Sequence, residues 1–284
     1  MDQRTLCIVG LGLMGGSFAL ALRASGYPGR LIGVSRSAET LRYAQAQGIV
    51  DLATDDLGAA REAEVVVLCT PARTIIAQIG QLASICKPGA ILTDMGSTKV
   101  KIARAMDALP GHLRAVAAHP MCGKEAAGIQ AADAGLFRGA PWLIIPTART
   151  DDEALSVVRA LAERVGASPR ILDADQHDAL LAFASHLPYA LAIGLVAATE
   201  QFSLNHPEVW EVMAGGFRDT SRVAASDVTM WLDILLTNAE PVLGAVRDVQ
   251  FALDQFTALL ERRDEAGLRA FLQAAAQARK AHFP

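Results

Sequence analysis

The stretch that decides the fold is "CIVGLGLMGGSFALAL", residues 7–22. A short apolar run leads into three glycines, and an alanine- and leucine-rich segment typical of a helix follows at once. In a strand-turn-helix context such glycines permit a tight turn, let a pyrophosphate approach the backbone and the helix N–H groups, and let the helix pack closely on the strand. We therefore predict that a dinucleotide binds at this turn. The residues of the turn expected to contact it are Gly10, Gly12, Leu13, Met14 and Gly15.

Outward from this turn, short β-type runs alternate with helical patterns as far as about residue 171. The runs are "TLCIVG", "RLIGVS", "EVVVLCT", "AILTD", "LRAVAAH", "PWLIIP" and "PRIL". Because they are apolar on both faces, they indicate central parallel strands covered by helices. After Asp173 the strand signals stop and the remaining pattern is helical. The sequence therefore predicts an α/β Rossmann-like N-terminal domain with a mostly parallel sheet at residues 1–172, followed by an all-α C-terminal domain at residues 173–284.

The composition excludes several classes of protein. The chain has 284 residues, of which 52 % are hydrophobic, so it can bury a substantial core. Its formal net charge is −4 and its Lys and Arg residues are scattered, which argues against a nucleic-acid-binding face. Four cysteines without a CxxC pair indicate a reduced, cytoplasmic protein. The opening "MDQRTLCIVG" enters a strand pattern directly and lacks the features of a signal peptide.

One segment, residues 179–199, is apolar enough to suggest a transmembrane helix. Ser185, His186 and Pro188 interrupt it, and no flanking Lys or Arg anchors it. We therefore expect no membrane partner.

The end of the second strand indicates which dinucleotide is bound. About 20 residues after the glycines, an enzyme that uses NAD usually has an acidic residue for the ribose 2′-hydroxyl. Here the sequence reads "IGVSRSAET", with Ser35, Arg36 and Ser37 in that place. An acid would repel a 2′-phosphate, whereas a serine and an arginine can hydrogen-bond and pair with it. We therefore favour NADP over NAD. NAD remains the alternative, because Glu39 is near enough to serve as the acidic residue.

Two further strand ends are expected at the same edge of the sheet, where open α/β folds bind ligands. "LCTP", residues 68–71, places Thr70 and Pro71 beside the cofactor. "TDMGSTK", residues 93–99, brings Ser97 to the start of a helix, where it could equally be an N-cap or a catalytic group.

The strand "LRAVAAH" ends at this edge in His119 and is followed by Pro120. We expect Pro120 to stop the regular strand and Gly123 to loosen the turn, so that the imidazole faces the cleft and is not buried. Histidine titrates near neutral pH, so it can remove a hydroxyl proton as hydride leaves the same carbon. His119 is therefore the candidate base, with a purely structural histidine as the alternative.

These motifs together resemble the prephenate/arogenate (cyclohexadienyl) dehydrogenase family of tyrosine biosynthesis. The matching segments, in the family's order, are "GLGLMGGS", "GVSR", "LCTP", "TDMGSTK", "HPMCGKEAAGI", "DADQHDALLAFASHLPYALA" and "GGFRDTSRVAASDVTMW". The resemblance implies a Rossmann-like domain and a helical domain that binds substrate and forms a homodimer. It also implies oxidative decarboxylation of a small cyclohexadienyl acid, prephenate or arogenate, to 4-hydroxyphenylpyruvate or tyrosine, with CO2 and reduced cofactor as the other products.

By this resemblance, His119 would take the proton of the ring C4 hydroxyl, and Ser97 would orient His119 and touch the cofactor. Arg222 would hold the ring carboxylate, with Arg218 nearby. The two arginines are four residues apart and share one face if their segment is helical, whereas on spacing alone a solvated basic face is also open.

The family resemblance also places Ser185, His186 and Tyr189 at the wall of the cleft. Tyr189 stands where some relatives carry a second histidine, so recognition of the substrate side chain stays open. His177 lies nine residues before His186, out of phase on one helix, so we expect no metal site. We expect Asp175, His177 and Asp178 to cap and brace the first helix of the second domain.

Three charged or aromatic residues have two interpretations each. Lys124 and Glu125 could pair with each other in solvent or meet the substrate side chain. Trp231 could close the pocket or be an ordinary core residue. The helix that carries Trp231 is expected to be capped by Ser226.

A heptad-like stripe predicts how the chain assembles. It consists of Val242, Val246, Val249, Leu253, Phe256 and Leu260. The stripe could pack inside its own domain or against a partner subunit, and we predict a dimer.

Two other functions compete with the dehydrogenase that the resemblance implies. One is a two-domain dehydrogenase of the β-hydroxyacid type, which usually has a catalytic lysine where this chain presents His119. The other is a dimerisation module that senses NADP without catalysis.

Overall fold

The computed structural model describes residues 3–124 and 126–283. Eight strands form one sheet in the order β3-β2-β1-β4-β5-β6-β7-β8. They are β1 (Leu6–Val9), β2 (Leu31–Val34), β3 (Leu52–Thr54), β4 (Val65–Leu68), β5 (Ile91–Asp94), β6 (Arg114–Pro120), β7 (Pro141–Pro146) and β8 (Ser168–Ile171). All neighbours pair in parallel except β6 and β7, which are antiparallel. The predicted Rossmann-like, mostly parallel sheet is confirmed, and β3, a strand of three half-buried residues, is the one that the sequence did not predict.

The helices are, in chain order, α1 (Leu13–Ala24), α2 (Ala38–Ala46), α3 (Ala72–Leu82), α4 (Val100–Asp107), α5 (Asp152–Arg164), α6 (Ala174–Leu181), α7 (Leu187–Ser203), α8 (Gly215–Ser221), α9 (Val228–Thr237), α10 (Ala239–Glu261) and α11 (Glu265–His282). Phe18 and Leu22 of α1 pack on one face of the sheet. Ile75 of α3 and Ile102 of α4 pack on the other. Alternate residues of the central strands enter the two cores, which is why these strands are apolar on both faces, whereas the edge strand β8 is mostly exposed.

By contacts, the chain forms two compact units. The first unit is Met1–Leu181 with Ala225–Asn238, and the second is Ala182–Ala224 with Ala239–Pro284. This division falls later than the domain boundary that the sequence predicts at residue 172, because α6 and α9 both bond to the sheet-containing unit. Asp178 of α6 accepts the backbone N–H of Lys99 at 2.7 Å, and Asp233 of α9 accepts that of Arg73 at 3.0 Å.

The second unit is helical, as predicted, and α10 packs against α7 and α11. The predicted stripe on α10 is buried at its first residue, Val242. It is exposed towards its end, where Leu253 and Leu260 are 54 % and 55 % accessible. One helical run, Ala174–Ser203, is long and apolar enough to cross a membrane by length and composition, a weak criterion that core helices of soluble proteins also pass.

Candidate active site

The glycine-rich turn leaves room for a ligand at one position and for close backbone packing at two others. Gly10 has φ +101°, and a Cβ there would lie 2.8 Å from Thr70 Cγ2. A Cβ at Gly15 would lie 2.1 Å from the carbonyl oxygen of Gly10. Gly12 immediately precedes α1, and a Cβ there would meet nothing within 4 Å. Open space before a helix N-terminus is the arrangement that accepts a pyrophosphate.

A cavity of about 530 Å³ opens beside this turn, at the carboxyl ends of β1 and β4 where the strand order reverses. It lies wholly within the first unit. Of the residues singled out in the sequence, its lining contains Gly12, Leu13, Met14, Thr70, Pro71, Ser97, His119 and Lys124. The glycine-rich turn and the candidate base therefore share one cavity.

The proposed 2′-phosphate residues lie beyond this lining, at the carboxyl end of β2. Ser37 caps α2 by accepting the Thr40 N–H at 3.2 Å, and Ser35 Oγ accepts the Ser37 N–H at 3.3 Å. Arg36 lies between them and is exposed. The three residues thus form a small turn that presents a guanidinium to solvent.

His119 is more buried than the sequence suggested. We expected Pro120 to end the strand, but β7 pairs antiparallel to β6 as far as Pro120, which lies opposite Trp142. Because the strand runs on past His119, the imidazole is only 8 % exposed. It still lines the cavity, so the accessible part of the ring faces the ligand space.

Among the described residues, a second histidine is a hydrogen-bond partner of His119. His119 Nδ1 lies 2.9 Å from His177 Nε2, and the two rings are tilted by 57°. His177 Nδ1 in turn lies 2.8 Å from Asp178 Oδ1. The sequence interpretation of His177 and Asp178 as mere braces of a helix was therefore incomplete, because 58 residues separate His119 from His177 and no local pattern connects them.

Asp178 also replaces Ser97 in the capping role considered above. Its carboxylate accepts the backbone N–H of Lys99 at 2.7 Å and that of Val100, the first residue of α4, at 2.9 Å. Ser97 makes no hydrogen bond to any described residue, and its place is the cavity wall. Among the described residues, His177 is thus in hydrogen-bond contact with His119 Nδ1, and the orienting role of Ser97 stays a prediction.

Burial and hydrogen bonding have opposite effects on the pKa values of Asp178 and His177. Burial acts to raise the pKa of Asp178, but the hydrogen bonds from His177, Val100 and Lys99 outweigh it and lower that pKa. Burial lowers the pKa of His177, and the nearby Lys99 cation adds to this effect against the opposing pull of Asp178. The arrangement favours an ionised Asp178 beside a neutral His177.

A fully buried ion pair holds the backbone on which His119 is carried. Lys99 and Asp94 are in contact and both side chains are inaccessible. Lys99 Nζ donates to the carbonyl of Ala118 at 2.7 Å, and Asp94 accepts the Ala118 N–H at 3.0 Å. Burial lowers the pKa of Lys99, whereas Asp94 acts in the opposite direction. The residue before His119 is thereby bonded on both sides.

Helix α9 forms a further wall of the cavity within the first unit. Asp233 accepts the backbone N–H of Arg73 at 3.0 Å and contacts its guanidinium, and Thr237 lies 2.8 Å from Thr98. The helix is capped by Asp227, which accepts the Met230 N–H, and not by Ser226 as predicted. Trp231 on this helix is buried, while the cavity lining is provided by Asp227, Met230, Asp233 and Ile234.

The loop after His119 contains Lys124, a predicted contact of the substrate side chain. Lys124 lines the cavity and pairs with Asp133 at 2.6 Å, which lowers the pKa of Asp133. Its predicted companion Glu125 lies outside the described residues. Cys122 is an inert neighbour, because burial raises the pKa of its thiol to about 11.

The remaining predicted substrate residues belong to the second unit. His186 ends a π-helical turn, Ala182–His186, and both His186 and Tyr189 are buried. Arg218 lies on α8, which packs against the helix of Tyr189, and the exposed Arg222 follows directly. Within the described residues, no cluster of three or more His, Cys, Asp or Glu could hold a metal ion.

Comparison with known proteins gives consistent matches over nearly the whole chain. Residues 18–170 match the family model "Prephenate dehydrogenase, nucleotide-binding domain", and residues 173–274 match "Prephenate dehydrogenase, dimerization domain". The chain is 36 % identical over 263 residues to the cyclohexadienyl dehydrogenase of Zymomonas mobilis, covering 90 % of this chain and 86 % of that protein.

Two solved structures are similar throughout. One is the prephenate dehydrogenase of Aquifex aeolicus in complex with hydroxyphenyl propionate and NAD+, with 32 % identity, a TM-score of 0.92 and coverage of 99 % of both chains. The other is the arogenate dehydrogenase of Synechocystis, with 32 % identity, a TM-score of 0.82 and coverage of 98 % of this chain and 99 % of that one.

Proposed function

The chain belongs to the prephenate dehydrogenase family and is an NAD(P)-dependent oxidoreductase, and from this premise we propose how its own residues act. The reaction is the oxidative decarboxylation of prephenate, of arogenate or of both, to 4-hydroxyphenylpyruvate or tyrosine and CO2. The observation that carries the proposal is that the glycine-rich turn and His119 line the same cavity. A dinucleotide held at the turn and a substrate held at the histidine would meet there.

The turn fits a dinucleotide because Gly12 leaves open space before α1, while Gly10 and Gly15 let the backbone close behind it. When bound, the cofactor supplies an acceptor for the hydride that leaves ring C4. We propose NADP as the preferred form, with Arg36 and Ser35 holding the 2′-phosphate. NAD is the competing choice, and the Aquifex aeolicus relative was solved with NAD+.

His119 is the proposed general base. It accepts the proton of the C4 hydroxyl as the C4 hydride departs. The bond from C1 to the ring carboxylate breaks, its electron pair completes the aromatic ring, and the phenol oxygen recovers a proton. Ser97, on the same cavity wall, is proposed to contact cofactor and substrate.

The substrate contacts are proposed from the family resemblance. Arg222, with Arg218, would position the ring carboxylate, and it must do so without holding that group so tightly that loss of CO2 is opposed. His186 and Tyr189 remain candidates for the rest of the substrate. Lys124 could meet the side chain of the substrate only by exchanging its pairing with Asp133.

The β-hydroxyacid alternative would use a lysine as the central catalytic group. Lys99 is fully buried against Asp94, and Lys124, which lines the cavity, is paired with Asp133. The NADP-sensing alternative predicts binding without turnover. An assay of NADP and NAD reduction with prephenate and with arogenate distinguishes these alternatives. We expect turnover with at least one of the two substrates, whereas an NADP sensor would bind the dinucleotide without reducing it.

His119→Asn should lower turnover by about 10²-fold or more while dinucleotide affinity stays nearly intact. The exposed His112→Gln serves as control, and near-normal turnover of His119→Asn would remove His119 from the mechanism.

We also propose a cytoplasmic homodimer that forms through the second unit, since residues 173–274 match a dimerization domain. Val249→Asp with Leu253→Asp would place two carboxylates on the α10 stripe and should dissociate or unfold the protein, at a cost of several kcal/mol. Light scattering with circular dichroism checks this. A folded particle of unchanged mass would exclude the stripe from the interface.

A further inference from the structure

We propose that His177, held by Asp178, is a positioning residue that keeps neutral His119 protonated at Nδ1 and so makes Nε2 the nitrogen that takes the substrate proton. The inference rests on the proposed function, in which His119 is the base. It adds a specific tautomer, set by a residue that does not line the cavity.

The two backbone donors to Asp178 favour its ionised form. Its carboxylate accepts two backbone N–H groups, from Lys99 at 2.7 Å and Val100 at 2.9 Å. Backbone N–H groups can only donate, so they stabilise the ionised form. An ionised carboxylate has no proton to give. The 2.8 Å contact with His177 Nδ1 must therefore be an N–H donated by His177.

The proton on His177 Nδ1 determines the protonation of its other ring nitrogen, Nε2. A neutral imidazole carries one proton, so a His177 that is protonated at Nδ1 presents a lone pair at Nε2. Full burial and the cation of Lys99 both disfavour a second proton on this ring. His177 Nε2 therefore accepts, and the 2.9 Å contact requires a proton on Nδ1 of His119.

This hydrogen bond determines which nitrogen of His119 can act as the base. With its own proton on Nδ1, neutral His119 has its basic lone pair on Nε2. If the contact were reversed, a protonated His177 would donate to Nδ1 and neutral His119 would carry its proton on Nε2, where it could not accept another. Such dependence on the correct tautomer is known from histidine bases that a carboxylate orients directly. Here a second histidine stands between the carboxylate and the base.

The charges around the pair support uptake of a proton. Lys99 and Asp94 compensate each other, and the carboxylate of Asp178 lies against His177. When His119 gains a proton, its Nδ1–H still donates to His177, and Asp178 lies behind to stabilise the cation. The ion pair also bonds both peptide groups of Ala118, which limits the movement of His119 relative to His177.

Two substitutions test whether His177 acts as a hydrogen-bond acceptor for His119 or only fills space beside it. His177→Gln offers an amide oxygen near the position of Nε2 and should preserve the His119 tautomer. His177→Leu fills the site without an acceptor. We expect His177→Leu to lower kcat by about 10²-fold, with dinucleotide affinity unchanged, and His177→Gln to lose clearly less. Equal losses in the two variants would overturn the proposal.

A measurement without turnover tests the tautomer directly. Long-range ¹⁵N–¹H NMR of histidine-labelled protein distinguishes the protonated from the unprotonated ring nitrogen, and His119→Asn and the control His112→Gln assign the signals. We expect His119 to be protonated at Nδ1 in the wild type and in His177→Gln, and to become a mixture in His177→Leu. Protonation of His119 at Nε2 in the wild type would overturn the proposal even if the enzyme is active. An inactive wild type with the expected tautomer would overturn only the proposed function.

Discussion

The two ends of the cavity in the first unit are built in different ways. The nucleotide end is formed by the few residues between β1 and α1, and its groups are mainly backbone atoms around Gly10, Gly12 and Gly15. The base end is formed by side chains that are far apart in sequence. Asp94 and Ala118 are separated by 24 residues, and Lys99 and Asp178 by 79.

This difference determines how each end can fail. A backbone turn depends on free space and on φ, so it is sensitive to the addition of atoms. A buried network of charges depends on every member having its partner, so it is sensitive to their removal. Substitutions at the two ends should therefore differ in size and in kind.

The largest effect is expected at the base end. Lys99→Met should lower the free energy of unfolding by about 3–5 kcal/mol, because it leaves the buried Asp94 carboxylate without its cation. Denaturant unfolding followed by circular dichroism measures the loss. Turnover of the folded fraction should also fall, since the carbonyl of Ala118 loses its donor.

The matched control is Lys87→Met, which removes a lysine from the half-exposed pair with Glu64. An exposed pair contributes at most about 1 kcal/mol, so this variant should be nearly as stable as the wild type. Adding Asp94→Asn to Lys99→Met should restore part of the lost stability, because no unpaired charge is then buried. If Lys87→Met and Lys99→Met were equally stable, the base end would not depend on its buried pair.

The same difference explains what the sequence could predict. The turn around Gly12 follows a strand and opens a helix within a few residues, so its role is visible in a local pattern, and the sheet follows from runs apolar on both faces. His119 could be identified because it ends such a run. Its partner His177 could not, since a histidine at the start of a helix has no local feature that indicates its contact with a strand 58 residues earlier.

Lys99 and Asp94 show the same limit. Both lie in "TDMGSTK", where a lysine near a helix start looks like a solvated residue. Its complete burial follows only from the packing of β5, β6 and α6 around it. The short strand β3 was missed for another reason, since three half-buried residues give no period.

A smaller effect is expected at the edge of the nucleotide end. Arg36→Ala should weaken binding of NADP by roughly 1.5–3 kcal/mol, the contribution of a charge-assisted hydrogen bond, and leave binding of NAD nearly unchanged. Titration with the two nucleotides measures both affinities. Arg42→Ala, an exposed arginine on the following helix α2, is the control. Equal losses for NADP and NAD in Arg36→Ala would reject the assignment of Arg36 to the 2′-phosphate.

The smallest of the three effects comes from adding a single methyl group inside the turn. Gly15→Ala would place a Cβ 2.1 Å from the carbonyl oxygen of Gly10, and backbone at that distance must shift. Overpacking of this kind typically costs about 1–3 kcal/mol of stability, and the same shift should weaken dinucleotide binding. Denaturant unfolding without nucleotide and a binding titration separate the two losses.

Gly80→Ala makes the same substitution in α3, where a Cβ meets nothing within 4 Å. Alanine is the better helix former, so this variant should gain about 0.5–1 kcal/mol and bind the dinucleotide as the wild type does. Opposite signs at Gly15 and Gly80 would show that the nucleotide end is limited by space and not by helix propensity. Unchanged stability and unchanged dinucleotide binding in Gly15→Ala would mean that the close approach of Gly15 to Gly10 does not set the geometry of the turn.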